Sequence, residues 1–302
     1  MAFAIGLRFY KMTVKKKGDD NPLLIGPGGD PCDLLEFVDE FVGQKEEPTD
    51  ETDAQRTWYF EPLKTESIRT VHGYISYGTH GFESKIKDRK TRKPKYLRKT
   101  DDLEEVPLYF QFWVPSGSNC AFAAFQSFQG RSCVSFVQKA MGEFFKSKFP
   151  DYSLRFPILA PANAISGEAP VKALTFTRPK QFSDSAEKSW FGKSLEEVDY
   201  EITVRAKKRN AMLARFNDLK DMLPEDGDGF VEFDGASYEG VRADVKFGKK
   251  RRVVGIFGSG GDAGLIDVTD SIQTDANGHP TLQSLVQETD SLMETFYAGV
   301  KT

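Results

Sequence analysis

Cysteine and histidine are scarce in this 302-residue chain, with three of each. Cys32, Cys120 and Cys133 are odd in number and lack C-x-x-C spacing, so neither a disulfide framework nor a thiolate zinc site is expected. His72, His80 and His279 are too scattered to build a metal centre, and no cofactor motif is found. No stretch approaches the roughly 18–20 apolar residues that a membrane helix needs. The opening MAFAIGLRFYKMTVKKK carries its charge after a short apolar part broken by Arg8 and Lys11, the reverse of a signal peptide. A cytoplasmic protein is the expectation.

There is also no excess of positive charge. The net charge is −4, which excludes a uniformly basic nucleic-acid coat but not a local patch. Apolar residues make up 39% of the chain and aromatics 13%, with 25 Phe, enough to bury a sizeable core and to exclude a disordered chain.

Hydrophobic periodicity predicts an α+β fold of two lobes, each a mostly antiparallel sheet with packed helices. The expected N-terminal lobe covers 1–162 and the second 163–280. A C-terminal amphipathic helix over 281–302 is free to pack on the first lobe or pair with another subunit. Strands are expected at Phe3–Val14, RTWYFEPL, IRTVHGYISYGTHG, VPLYFQFWVP, CAFAAFQSF and YSLRFPILAP, with helices after Pro31 and after a Ser132 cap. The acidic segment Lys45–Gln55 reads as a surface loop. NAISGEAP (163–170) is the candidate crossing between lobes. Beyond it come strands in VKALTFTR and VDYEITVRAKK, a helix over Asn210–Leu223, and four short strands ending at AGLIDVTDSI.

The densest chemistry is KIKDRKTRKPKYLRK, Lys85–Lys99, where nine of fifteen residues are Lys or Arg and Asp88 is the one acid. Lys85, Lys87, Arg89, Lys90, Arg92, Lys93, Lys95, Arg98 and Lys99 can hold phosphates by displacing condensed counterions, and Tyr96 can stack on a base. Pro94 suggests a flexible arm rather than a helix, and the bland alternative is a solvated loop. Two lesser clusters follow: Arg205, Lys207, Lys208, Arg209, and Lys246, Lys249, Lys250, Arg251, Arg252 at the turn of an expected hairpin. If the clusters share a face they make a phosphate-tracking surface; otherwise they are solubility features.

Other chemistry is weaker. FGSGGDAG lacks the Lys-Ser or Lys-Thr pair and the following helix of a phosphate loop. Cys133 opens a helix but has no His nearby in sequence. Asp234, Glu239, Asp244 and Lys246 loosely match a metal-dependent nuclease pattern, the alternative to a non-enzymatic protein.

The order of elements resembles the RexA-type phage-exclusion proteins: WYF and FWVPSG strands, then CAFAAFQSFQGRSCVSFVQKAMGEFF, a second β-rich lobe with VDYEITVRAKK, and the C-terminal helix. The chain departs from them by the Lys85–Lys99 insertion and the acidic 45–55 segment. The resemblance implies a two-lobed, non-enzymatic, homodimeric DNA-binding protein of abortive infection, working with a membrane-protein effector and without a small-molecule substrate. A protein-binding sensor of a phage component is the third reading.

Overall fold

A computed structural model of the chain describes residues 5–65, 67–159, 168–178, 200–208, 211–223, 230–247, 250–258 and 264–300. They divide into two compact units, Tyr10–Pro157 and Met1–Phe9 with Ile158–Thr302. Both are mixed α/β and mostly antiparallel. Strand β1 (Ile5–Lys16) contributes its first half to one and its second half to the other.

In the Tyr10–Pro157 unit, helix α1 (Leu34–Gln44) is followed by β2 (Thr49–Glu51), β3 (Arg56–Leu63), β4 (Thr70–Thr79), β5 (Ser84–Lys87), β6 (Pro94–Arg98), β7 (Glu104–Trp113) and β8 (Ala121–Phe128). Helix α2 (Val134–Lys148) and β9 (Tyr152–Arg155) complete it. The sheet order is β1–β8–β7–β4–β3–β2, with β9 also on β1. Alternation in β7 sends Val106, Leu108, Phe110 and Phe112 to one buried face. Phe110 meets Phe60 at 4.7 Å, and Phe41 of α1 meets Phe60 at 5.8 Å, which seats the helix on the sheet. Phe37 joins it to Phe145 of α2 at 5.1 Å. Each such ring contributes about 1.5–3 kcal/mol by leaving water.

Asp33 caps α1 by accepting from the Leu35 N–H at 2.9 Å, two residues after Pro31. Its carboxylate also takes a two-pronged ion pair from Arg69 at 2.5 and 2.7 Å, and Arg69 Nε donates to the Val114 carbonyl. The Arg69 hydrogen bonds, against the opposing effect of burial, hold Asp33 below the usual carboxylate range. Helix α2 starts one residue later than expected: Cys133 takes the cap position, without a side-chain bond, in place of Ser132.

The second unit holds β10 (Pro170–Arg178), β11 (Tyr200–Arg205), β12 (Ala214–Arg215), the short helix α3 (Phe216–Lys220), β13 (Val231–Phe233), β14 (Ala236–Tyr238), β15 (Gly240–Phe247), β16 (Lys250–Gly258), β17 (Leu265–Asp267) and helix α4 (Leu282–Val300). Its sheet runs β11–β10–β15–β16–β17–β1. Helix α4 packs here through Leu285, Leu292, Met293 and Phe296, the last meeting Phe247 at 5.1 Å and Phe9 at 5.0 Å.

Three expectations are corrected. The acidic 45–55 segment holds strand β2 and a 3-10 turn, because Thr57 and Trp58 of β3 donate to Asp50 and Glu51. The helix expected over 210–223 shrinks to α3, since Ala214–Arg215 pair with Val171–Pro170 instead. The arm at 85–99 is a hairpin. Residues 163–167 of the expected crossing, 259–263 of the glycine-dense turn, Arg209 and Lys249 lie outside the described residues.

Candidate nucleic-acid interface

The basic run forms the two-stranded ribbon β5–β6, a sheet of its own rising from the ends of β4 and β7. Ser84 stands opposite Arg98, Lys85 opposite Leu97, Ile86 opposite Tyr96 and Lys87 opposite Pro94, with Lys95 the extra residue of a bulge. Pro94, which lacks an N–H, is tolerated because a strand with an open edge need not donate everywhere. At roughly 3.3 Å per residue the strands reach about 15 Å.

Asp88 builds the tip. Its carboxylate accepts from the N–H groups of Lys90 and Thr91 at 3.0 and 2.8 Å and from the Thr91 hydroxyl at 3.0 Å. Arg92, at φ +58°, turns the chain back, and the Asp88 N–H donates to the Lys93 carbonyl at 2.8 Å. The Thr91 N–H, then Lys95, hold Asp88 below the usual carboxylate range. In the sequence Asp88 stands out only as the one acid of the run. An Asp with Thr three residues on is an Asx-turn signature, and that signal was there to be used.

Eight of the nine cations of the run are exposed: Lys85, Lys87, Arg89, Lys90, Arg92, Lys93, Lys95 and Lys99. Among the described residues only Lys95 of these eight has a carboxylate partner, Asp88 at 3.2 Å. The ninth is a correction. Arg98 is buried, paired with Glu104 at 2.9 Å, bonded to the Thr79 carbonyl and stacked 4.2 Å over the Phe82 ring. It anchors the ribbon's base and cannot meet a phosphate. Tyr96 stays half-exposed, its hydroxyl donating to Asp102.

Both lesser clusters belong to the second unit. Strand pairing aligns Arg205, Ala173, Asp244 and Val253 across β11–β10–β15–β16. The C-terminal ends of β11 and β15 therefore lie at the same end of one sheet. Arg205, Lys207, Lys208 and Lys246 are exposed there, without an ion pair among the described residues. The remainder of the second cluster is corrected. Arg251 is bound to Asp244 at 3.1 Å, and Lys250 to Glu288 at 2.9 Å. Arg252 is 4% exposed and grips Glu288 through Nε and Nη2 at 3.0 and 2.7 Å. Lys250 and Arg252 thereby tie α4 to the sheet, and Arg251 links β16 to β15.

The other candidates find bland settings. Burial pushes the Cys133 thiol up to about 12, and burial followed by Asp33 pushes Cys32 up to about 11, so neither is a ready thiolate. His72 is buried, its Nδ1 3.1 Å from the Tyr109 hydroxyl. Arg251 occupies Asp244 of the nuclease-like pattern, and no three His, Cys, Asp or Glu side chains among the described residues cluster to hold a metal. No helix among them is long and apolar enough to cross a membrane. Family models, curated proteins and solved structures were compared with the chain, and none matches.

Proposed function

We propose that the chain is a sequence-tolerant, non-enzymatic DNA-binding protein whose principal phosphate contact is the β5–β6 ribbon. One observation carries this reading: eight exposed cations crowd a narrow two-stranded ribbon in a protein of net charge −4, and among the described residues only one of them is neutralised by a neighbouring carboxylate. A β-ribbon fits the roughly 12 Å major groove, and cations along its edges face phosphates on either side. Such contacts fix position without reading bases, so affinity is tolerant of sequence and steep in salt. The resemblance to RexA-type proteins supports a role in phage exclusion, as a homodimer that signals to a membrane-protein effector.

Replacing Lys90, Arg92, Lys93 and Lys95 by Glu tests it. Anisotropy of a fluorescent duplex is measured from 50 to 200 mM salt. Affinity is expected to fall and the log–log salt slope to flatten by up to roughly 3.6, near 0.9 for each of the four phosphates no longer neutralised. Unchanged affinity rejects the ribbon as the binding surface. The half-exposed Ile86 and Leu97 beside the cations favour a protein partner as the second reading, which absence of any duplex binding at low salt would select.

A further inference from the structure

The C-terminal end of β1 carries positive charge that the ribbon does not explain. β1 and β9 pair with Thr13 opposite Arg155 and Lys15 opposite Ser153, so these four side chains share one face. Past the pairing, the Lys17 N–H donates to the Asp151 carbonyl at 2.9 Å, and the chain reverses at Gly18. The Asp19 N–H closes that turn on the Lys16 carbonyl at 3.0 Å, with Gly18 at φ +84° in the third position. Only glycine takes that position without strain. The result is an open cleft of about 330 Å³, lined by Lys15, Lys16, Lys17, Arg155, Ser153 and the Gly18–Asp20 turn.

Four cations there meet two acids, and neither acid is placed to neutralise them. Asp19 is turned back on its own loop, its Oδ1 accepting from both the N–H and the Nδ2 of Asn21 at 2.9 Å. Asp20 reaches Lys15 only at 3.6 Å, and its side chain is fully exposed. A pair of that kind is worth close to nothing in water. Lys15 itself is only 22% exposed. A lysine covers its aliphatic stem while keeping its ammonium in water, and Lys15 lines the cleft. Arg155 is exposed and has no ion pair among the described residues.

We infer that this cleft is an anion site whose ligand presents a phosphate group. An arginine fork and up to three ammonium groups supply the several donors that a tetrahedral oxyanion accepts, while the Ser153 hydroxyl is turned to the Lys15 carbonyl at 3.5 Å. The volume lies at the small end of ligand clefts and suits a mono- or diphosphate with little organic bulk. The phosphate comes either from a small phosphorylated molecule or from one nucleotide of a longer strand. No residue of the ribbon takes part.

The test is calorimetric titration of the full chain with inorganic pyrophosphate at constant ionic strength. It is run on the unmodified protein, on Arg155→Gln, on Lys15→Gln and on the fourfold ribbon variant. Saturable binding is expected, weakened at least tenfold in the two glutamine variants and unchanged in the ribbon variant. Arg155 is exposed, so its variant folds even if Lys15→Gln does not. Absence of saturable binding, equal binding by Arg155→Gln, or loss in the ribbon variant alone overturns the assignment. Duplex affinity of Arg155→Gln then separates the sources. A fall in duplex binding alongside pyrophosphate marks a nucleic-acid phosphate, and retained duplex binding marks a small phosphorylated ligand.

Discussion

Glu288→Gln should be among the most damaging single substitutions in the second unit. Glu288 is 3% exposed and accepts from Arg252 at 2.7 and 3.0 Å and from Lys250 at 2.9 Å. Glutamine keeps the shape but removes the charge, and with its amide oxygen turned to Arg252 it sets an N–H donor against the Lys250 ammonium. Arg252, whose side chain is 2% exposed, then keeps oxygen acceptors in the amide and the Phe247 carbonyl but has no counter-charge. Stranding one member of a buried pair costs about 3–5 kcal/mol. That is a large part of the roughly 5–15 kcal/mol by which domains are stable. Replacing both partners, Arg252→Met with Glu288→Leu, should restore most of the loss, because two buried charges and their desolvation leave together. Urea unfolding followed by circular dichroism of the unmodified protein, Arg252→Met, Glu288→Leu and the double variant gives the four corners of the cycle, with Glu288→Gln measured beside them. The same proteins also separate structure from binding, since Arg252→Met is expected to leave duplex affinity unchanged. A Glu288→Gln loss below about 1 kcal/mol, or a double variant no better than its worse parent, would refute the assignment of this cluster as a buried ion pair.

Three further outcomes are expected. Burial alone would raise the Glu288 pKa, but the hydrogen bonds and charges of Lys250 and Arg252 carry it below the ordinary 4.5. A lowered folded pKa contributes stability above about pH 4.5 that is lost as pH falls through the folded value. Thermal unfolding of the unmodified protein should therefore decline in that window, and Glu288→Gln should flatten the decline. Asp33→Ala removes both the α1 cap and the partner of Arg69, and should cost about 3–5 kcal/mol in urea unfolding. Asp33→Asn, which keeps the cap acceptor, should cost less. A chromogenic thiol reagent at pH 8 should label Cys133 only after denaturation, because the thiol is both buried and pushed up to about 12.

What was legible in the sequence was what neighbours in the chain decide. β7 alternates apolar residues at Val106, Leu108, Phe110 and Phe112, and α4 repeats Leu285, Leu292 and Phe296, so period alone names strand and helix. The failures lie where a distant partner overrides local preference. Ala214–Arg215 sit inside a helical pattern, yet β10 recruits them as a strand. Thr49–Glu51 look like a solvated acidic loop until β3 supplies donors to Asp50 and Glu51. The site followed the same rule. Charge density marked the ribbon, but only the fold distinguishes exposed Lys90 from Arg98, fastened to Glu104 six residues on. Arg252 looked like its neighbours because its carboxylate, Glu288, lies 36 residues away. Lys15–Lys17 read merely as the end of a strand, since Arg155 joins them only through β9.

Strand β1 has a consequence for how the protein is made. Ile5 donates its N–H to Thr269, 264 residues later, and Phe9 stacks against Phe296. At about 5–20 residues per second of synthesis, the leading strand waits roughly 13–50 s before those partners leave the ribosome. Through that interval Ile5, Leu7 and Phe9 present an unsatisfied apolar edge. A nascent chain stopped short of β17 would keep that edge indefinitely, and is the form most prone to aggregate or to occupy a chaperone.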